Sequence, residues 1–223
     1  MSSEKLLVLD LDGTLIPFDF LLDSLKILPR LTTNARTKLL LQAFQIFKPI
    51  MYKTFKIIII IFVKILDIPI NYKKYLSFSV SASFYAAILK LLPYESIYYY
   101  VNISLLEGLY RRRNVWRIAL KMCSKQRIPC ILVTGNSCEQ LIHRLRQLIN
   151  LKYIFRSYML KRGPFYFVFV INKYIIAKTL RTTKKAVVVV TDSVGDLSVF
   201  NYAQCKIWVK DTSLVKLCSK LCV

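Results

Sequence analysis

The sequence predicts an α/β protein with a doubly wound, Rossmann-like parallel sheet core and an inserted, mostly α-helical cap. Three observations predict it. Leu6-Leu7-Val8-Leu9 runs into Asp10-Leu11-Asp12-Gly13-Thr14; Cys130-Ile131-Leu132-Val133 runs into Thr134-Gly135-Asn136-Ser137; Ala186-Val187-Val188-Val189-Val190 runs into Thr191-Asp192-Ser193-Val194-Gly195-Asp196. Short apolar runs closed by turn signals read as strands buried on both faces, the habit of parallel sheets. The chain has five glycines, and Gly13, Gly135 and Gly195 each follow such a run within a few residues.

Between about Pro17 and Leu92 no strand–turn–acid element occurs. Asp19 to Leu28 reads as a helix ended by Pro29, and Thr33 to Lys48 as a longer one, capped by Thr33 or Asn34 and stopped by Pro49. Met51 to Leu66 and Tyr72 to Leu91 read as helices too, although the isoleucine run in the first is also compatible with a strand. From Pro93 the α/β rhythm resumes. Glu107 to Gln126 reads as a basic helix, 128–134 as the second core strand, and Glu139 to Asn150 as a helix with Leu141, Leu145 and Leu148 on one stripe. Tyr153 to Leu160 and Phe165 to Val170 read as strands of a hairpin around Lys161-Arg162-Gly163-Pro164. A helix from about Asn172 leads into strand 186–191; Asp196 to Tyr202 reads as helix, 205–209 as a last strand and the tail as a short helix. Alternating βα units imply a parallel sheet with right-handed crossovers. The expected division is a core of residues 1–16 and 93–223 and a cap of residues 17–92.

Composition narrows the classes. With 223 residues and 55% hydrophobic content the chain can bury a core and is not of disordered type. Its net charge of +22 favours anionic partners: phosphates, anionic lipid or nucleic acid. The six cysteines show no Cys-x-x-Cys spacing and there is a single histidine, so zinc is disfavoured and free thiols in a reducing compartment are expected. A cytoplasmic location follows as the default, since no leader-like apolar segment opens the chain. Ile57 to Val63 is too short to span hydrocarbon and is closed by Lys56 and Lys64, which suits a buried or interfacial helix.

The turn after the first strand carries chemistry. Asp10 can attack phosphorus as a nucleophile, and Asp12 can protonate the leaving oxygen and later deprotonate water. Gly13 lets the turn present its N–H groups to a phosphate, and Thr14 steadies it. An Asx turn built for backbone reasons alone uses the same residues. The recurrence of the pattern at Asp192 and Asp196 favours the chemical reading, because four of the eight aspartates then meet at strand ends. Carboxylates crowded at one sheet edge need a cation, and Mg²⁺, which takes oxygen ligands and bridges to phosphate, is the natural one. A helix capped near Asp196, with Asp192 in a loop, is the competing account and can coexist with metal binding.

Asp-x-Asp-Gly-Thr, a strand ending in Thr, a lysine and a paired acidic motif together resemble the haloacid dehalogenase-like phosphatase superfamily, in its helical-cap form. A fainter likeness, carried by Leu92-Pro93-Tyr94 and Cys205-Lys206-Ile207-Trp208-Val209, is to phosphatase-like domains fused to polyprenyl-transferase membrane domains. The superfamily resemblance implies a phosphoric monoester hydrolase acting through an aspartyl-phosphate. It implies that Asp10, the backbone carbonyl of Asp12 and Asp192 bind Mg²⁺ directly, with Asp196 just outside. It also implies that Thr134, Gly135 and Asn136 cradle the phosphate. It implies a phosphate lysine as well, and Lys173, which opens the helix before the last strand at the family's separation from Asp192, takes that place, with Lys178 as the alternative. Thr191 departs from the family, which has Gly there, so a weakened or repurposed enzyme is the competing reading: a basic module that binds membrane or nucleic acid. The substrate is a phosphorylated small molecule or a lipid. The mix of Ile, Phe and Tyr with Lys in the cap suits peripheral contact with an anionic membrane. No motif for specific nucleic acid is visible.

Overall fold

A computed structural model of the chain describes residues 5–65, 83, 88–90, 92–162, 165–169, 172–183, 185–210 and 213–218. The strands are β1 (Lys5–Leu9), β2 (Cys130–Thr134), β3 (Leu151–Arg156), β4 (Tyr158–Arg162), β5 (Phe165–Phe169), β6 (Ala186–Thr191), β7 (Cys205–Lys210) and β8 (Ser213–Cys218). The helices are α1 (Phe20–Leu31), α2 (Ala35–Ile65), α3 (Tyr94–Arg111), α4 (Arg113–Leu120), α5 (Glu139–Leu148), α6 (Lys173–Arg181) and α7 (Val194–Val199), with a π-helical turn at Lys121–Lys125. The chain divides into two compact units: Met1–Asp19, Ile103–Arg156 and Ile171–Val223 form one, and Phe20–Asn102 with Ser157–Val170 the other. The hairpin thus groups with the helical segment, where the sequence had suggested a place in the core.

The first unit carries a six-stranded sheet of order β3-β2-β1-β6-β7-β8, parallel except for β8. Residues alternate between the two faces of a strand. Leu6, Val8, Ile131, Val133, Val187 and Val189 pack with Ile176, Ala177, Leu180 and Phe200 on one face. Their neighbours Leu7, Leu9, Leu132 and Val190, which point the other way, are wholly buried as well. Both faces are therefore covered, as a parallel sheet of Val, Ile and Leu requires. Strand order reverses between β1 and β6: the chain steps from β1 outward to β2 and β3, then returns to β6 on the other side. The crevice beyond the carboxyl ends of such a pair is where open α/β sheets place their ligands.

Helix α3 is held to the chain just after β1. A Cβ on Gly108 would lie 2.4 Å from the Leu15 carbonyl oxygen, and the buried Trp116 donates its indole N–H to that oxygen at 2.9 Å. In the helical unit, Tyr100 stacks on Phe20 at 4.5 Å between ring centroids and donates its hydroxyl to the Phe20 carbonyl at 2.9 Å. Those two residues begin α1 and lie in α3, so the helical segment is clasped where it starts and where it ends.

Several expectations are corrected. Neither Pro29 nor Pro49 ends its helix: α1 continues to Leu31, and α2 runs through Pro49 for 31 residues, joining the two expected helices and the isoleucine run. A proline removes one backbone donor and tends to kink a helix, and strong helix formers on either side carry it on. The expected helix Tyr72 to Leu91 lies mostly outside the described residues; Ser83 and 88–90 are helical. The basic helix breaks at Arg112, where φ is −109° and ψ 29°. The run 153–160 is two strands in two sheets, parted at the buried Ser157. The tail is β8, which pairs antiparallel with β7 and covers its open edge. The thiols are not all free. Cys123 and Cys130 form a disulfide with Cα atoms 5.7 Å apart, because the π-turn and the loop after it fold back onto the start of β2. Cys205 is disulfide-bonded as well, and Cys138 keeps a buried thiol.

Candidate active site

The site forms at the carboxyl ends of β1, β2 and β6. Asp10 is the first residue beyond β1, and its backbone N–H donates to the Val190 carbonyl at 3.1 Å, keeping it in register with β6. Its side chain is buried. Oδ1 accepts the Leu11 N–H at 2.9 Å; Oδ2 accepts Lys173 Nζ at 3.1 Å and the Thr191 hydroxyl at 3.4 Å. Burial pushes the Asp10 carboxyl up to about 7, Lys173 pulls it back and Asp196 adds to the rise. Lys173 stands at the first position of α6, behind the Asn172 cap, whose side chain accepts the Tyr174 N–H. Its ammonium also reaches Asp196 Oδ2 at 2.5 Å. Burial alone would lower the lysine's pKa, but the two carboxylates together raise it above the ordinary value. Lys178, the alternative lysine, is exposed farther along the same helix.

The turn after Asp10 is built around Asp192. Gly13 has φ +74°, and a Cβ there would lie 2.0 Å from Asp192 Oδ2. Thr14 donates its hydroxyl to Asp192 Oδ1 at 2.9 Å and accepts the Asp192 N–H at 2.9 Å. Trp208 Nε1 donates to the Asp192 carbonyl at 2.9 Å, fixing the loop from the β7 side. Asp12 faces the end of β2, where Asn136 Nδ2 donates to its two oxygens at 3.4 and 3.5 Å. Thr134 is fully buried and accepts the Asn136 N–H at 3.0 Å, with Gly135 half-buried between them, and Asn136 Oδ1 accepts the Cys138 N–H. Asp196 lies in the first turn of α7, and its N–H donates to the Ser193 cap.

Asp10, Lys173 and Asp196 therefore meet in one ionic cluster. Asp192 is seated on the Gly13–Thr14 turn, and Asp12 is reached by Asn136. Thr14 and Asn136 thus do more than the turn geometry announced. Thr191 stands between Asp10 and Asp196: its hydroxyl lies 3.4 Å from the first and 3.3 Å from the second, and it accepts the Ser193 N–H at 3.1 Å. The sequence registered this residue only as a missing glycine. A hydroxyl one residue before Asp192 was the signal available.

The donor set can be tested for Mg²⁺. Among the described residues no three Asp, Glu, His or Cys side chains gather as a closed ligand cage. Mg²⁺ does not need one, since it is usually held by one or two carboxylates and keeps several waters. Asp10 and Asp192 supply two carboxylates at the ends of adjacent strands, and the absent Cβ of Gly13 lets Asp192 close on the turn that bears the Asp12 carbonyl. These oxygen donors fit the ion.

No family model matches the chain, and no curated protein matches it by sequence. Solved structures do match. A protein of unknown function from Bordetella pertussis Tohama I is similar over 93% of this chain and 90% of its own, with a TM-score of 0.56 and 12% identity. Looser likenesses include a phosphoserine phosphatase in apo form (TM-score 0.47, 17% identity, 91% of this chain and 84% of that one). Another is a HAD family hydrolase from Salmonella enterica serovar Typhi (0.47, 14%, 90% and 60%). At 12% identity the likeness to the Bordetella protein is one of fold alone, a Rossmann-type α/β core.

Proposed function

We propose that the chain is a Mg²⁺-dependent phosphatase that hydrolyses a phosphate monoester through an aspartyl-phosphate on Asp10. One observation carries the reading above the rest. A buried carboxylate stands at the switch point of a parallel sheet, 3.1 Å from a lysine ammonium, with a second aspartate docked on the turn beside it. Buried carboxylates without a catalytic or ligand-binding task are rare, because burial disfavours their charge.

The ionised Asp10 attacks phosphorus, a P–O bond forms to Oδ, and the ester P–O bond breaks. Asp12 gives the leaving oxygen its proton. Asp12 then takes a proton from a water that attacks the same phosphorus, and Asp10 is released with inorganic phosphate. Asn136 orients Asp12 for both transfers. The Thr134 hydroxyl and the amides of Gly135 and Asn136 hold phosphate oxygens near the start of α5, and Lys173 offsets their charge and favours the ionised form of Asp10 against the effect of burial. Mg²⁺, held by Asp10, Asp192 and the Asp12 carbonyl with Asp196 nearby, would neutralise the phosphate as charge shifts to the leaving oxygen. The substrate we propose is a phosphorylated small molecule or lipid, with the enzyme cytoplasmic or peripheral at a membrane.

Phosphate release from a generic aryl phosphate tests this. Activity with Mg²⁺ that disappears in Asp10→Asn and in excess chelator is the expected result. Turnover that survives either change overturns the mechanism, and an inactive wild-type chain would leave a basic binding module.

A further inference from the structure

We infer that α2 carries a surface that docks on an anionic lipid bilayer. The helix is apolar on two opposite sides and buries one. Thr37 and Leu41 are buried, and Phe44 partly so, one turn apart along the inner side. Leu39, Ile46, Ile50 and Ile57 are spaced by seven, four and seven residues. At about 100° per residue they lie within about 20° of one line, on the opposite side of the helix. They are 70%, 71%, 62% and 57% exposed, with Phe47 beside them at 53%. The stripe runs about 27 Å along the helix axis. Lone exposed apolar residues mean nothing, but four on one line along this length of helix mark an interaction surface.

Charge names the occupant. Segment 35–65 holds Arg36, Lys38, Lys48, Lys53, Lys56 and Lys64 and no carboxylate. Arg36, Lys38 and Lys53 are exposed, and Lys53 lies within about 40° of the apolar line. An exposed apolar row flanked by cations, with no anion on the helix, matches the two attractions of a headgroup layer: apolar burial at the acyl boundary and Coulomb attraction to anionic lipid. A second copy of the chain is a poor occupant, since each carries a net +22. Nucleic acid would use the cations and leave the isoleucines wet. Among the described residues no helix is long and apolar enough to cross a membrane, so the contact is interfacial. A phosphatase seated there would meet phosphomonoesters of lipids; that part rests on the reading proposed above, while the docking surface does not.

Sedimentation of the full chain with vesicles decides it, using neutral phosphatidylcholine and phosphatidylcholine mixed with phosphatidylglycerol. The expected result is binding to the mixed vesicles alone, weakened by high salt. Ile46→Glu and Ile50→Glu should each weaken it about ten-fold, as loss of a buried aliphatic side chain implies. Lys38→Glu and Lys53→Glu should each weaken it at least five-fold, the share of one cation near a charged surface. All four positions are exposed, so far-UV circular dichroism should show the fold kept. Three results overturn the inference: no binding at low salt, equal binding to neutral vesicles, or isoleucine variants that bind like the wild type, which would mean charge alone is at work. Hydrolysis of a soluble aryl phosphate by the same variants should be unchanged. Its absence in the wild-type chain, with vesicle binding intact, would remove the phosphatase reading and leave the docking surface standing.

Discussion

Gly13 and Asp192 approach so closely that a Cβ on the glycine would lie 2.0 Å from the aspartate Oδ2. The same glycine has φ +74°, where a side chain is strained whatever the space. Gly13→Ala should therefore lose roughly 1–2 kcal/mol from the backbone alone and more from the displaced carboxylate. Phosphate release should fall with it, because Asp192 must leave the turn. Gly195→Ala is the control. Its Cβ would meet nothing closer than Ser193 Oγ at 3.5 Å, and within α7 alanine should add roughly 0.5–1 kcal/mol. Chemical denaturation of the two variants checks the contrast, and equal effects would mean that the Asp192 contact is not a constraint.

Lys173 bridges a buried carboxylate, Asp10 at 3.1 Å, and a half-buried one, Asp196 at 2.5 Å. Its side chain is 23% exposed and theirs 11% and 14%, so the cluster is partly desolvated. Removing one member of a buried ionic group leaves the others uncompensated and commonly costs about 3–5 kcal/mol. Lys173→Met should lie toward the low end of that range near pH 6, where Asp10 can take up a proton, and should abolish phosphate release. Lys178→Met, at an exposed position, should stay within about 0.5 kcal/mol of the wild type. Thermal unfolding and aryl phosphate turnover of the pair separate the two lysines.

Much of this core was legible because its strands are dense, β-branched and sharply ended. Residues 186–191 were expected as a strand and are one, and the asparagine expected to open the helix before it is the cap of α6. Lys173 was picked out as the residue that opens the helix before the last strand, at the separation from Asp192 that the resemblance implies, and the structure sets it 3.1 Å from Asp10, 163 positions away. What was not legible depends on partners remote in sequence. Nothing local to Asn136 says that its amide reaches Asp12, 124 positions away. Pro49 looks like a stop, because the rule for proline weighs one lost bond and not the helix formers beyond it. The pairing of Cys123 with Cys130 needs a π-turn that no spacing encodes. The tail's choice of strand over helix was decided by the open edge of β7.

Thr191 is the residue whose meaning changed most. It was noted as a departure from glycine, and it proves to place a buried hydroxyl between Asp10 and Asp196 while accepting the Ser193 N–H. Thr191→Val keeps the shape and removes the hydroxyl. It should cost about 1–3 kcal/mol, because the Ser193 amide loses its acceptor and the carboxylates lose a donor. Turnover should fall through kcat more than through KM, since Asp10 is misplaced while the cradle proposed at Thr134 is untouched. Thr191→Ser should restore most of both. A valine variant with wild-type kcat would show that the hydroxyl only fills space.

The Asp10 carboxyl is raised by burial from 3.8 to about 7, Lys173 notwithstanding, and this sets a pH dependence for the chain in chelator. Between about pH 4 and pH 7 the unfolded chain has lost the Asp10 proton and the folded chain still holds it. The folded state binds more protons there, so stability falls as pH rises, with a slope approaching about 1.4 kcal/mol per pH unit. Below pH 4 the contribution is fully present, and above pH 7 it is gone and the curve levels. Asp10→Asn cannot lose that proton. Its melting temperature relative to the wild type should climb from pH 4 to pH 7 and then hold steady. Parallel curves across that window would show that burial does not hold a proton on Asp10, and the environment assigned to the nucleophile would have to be revised.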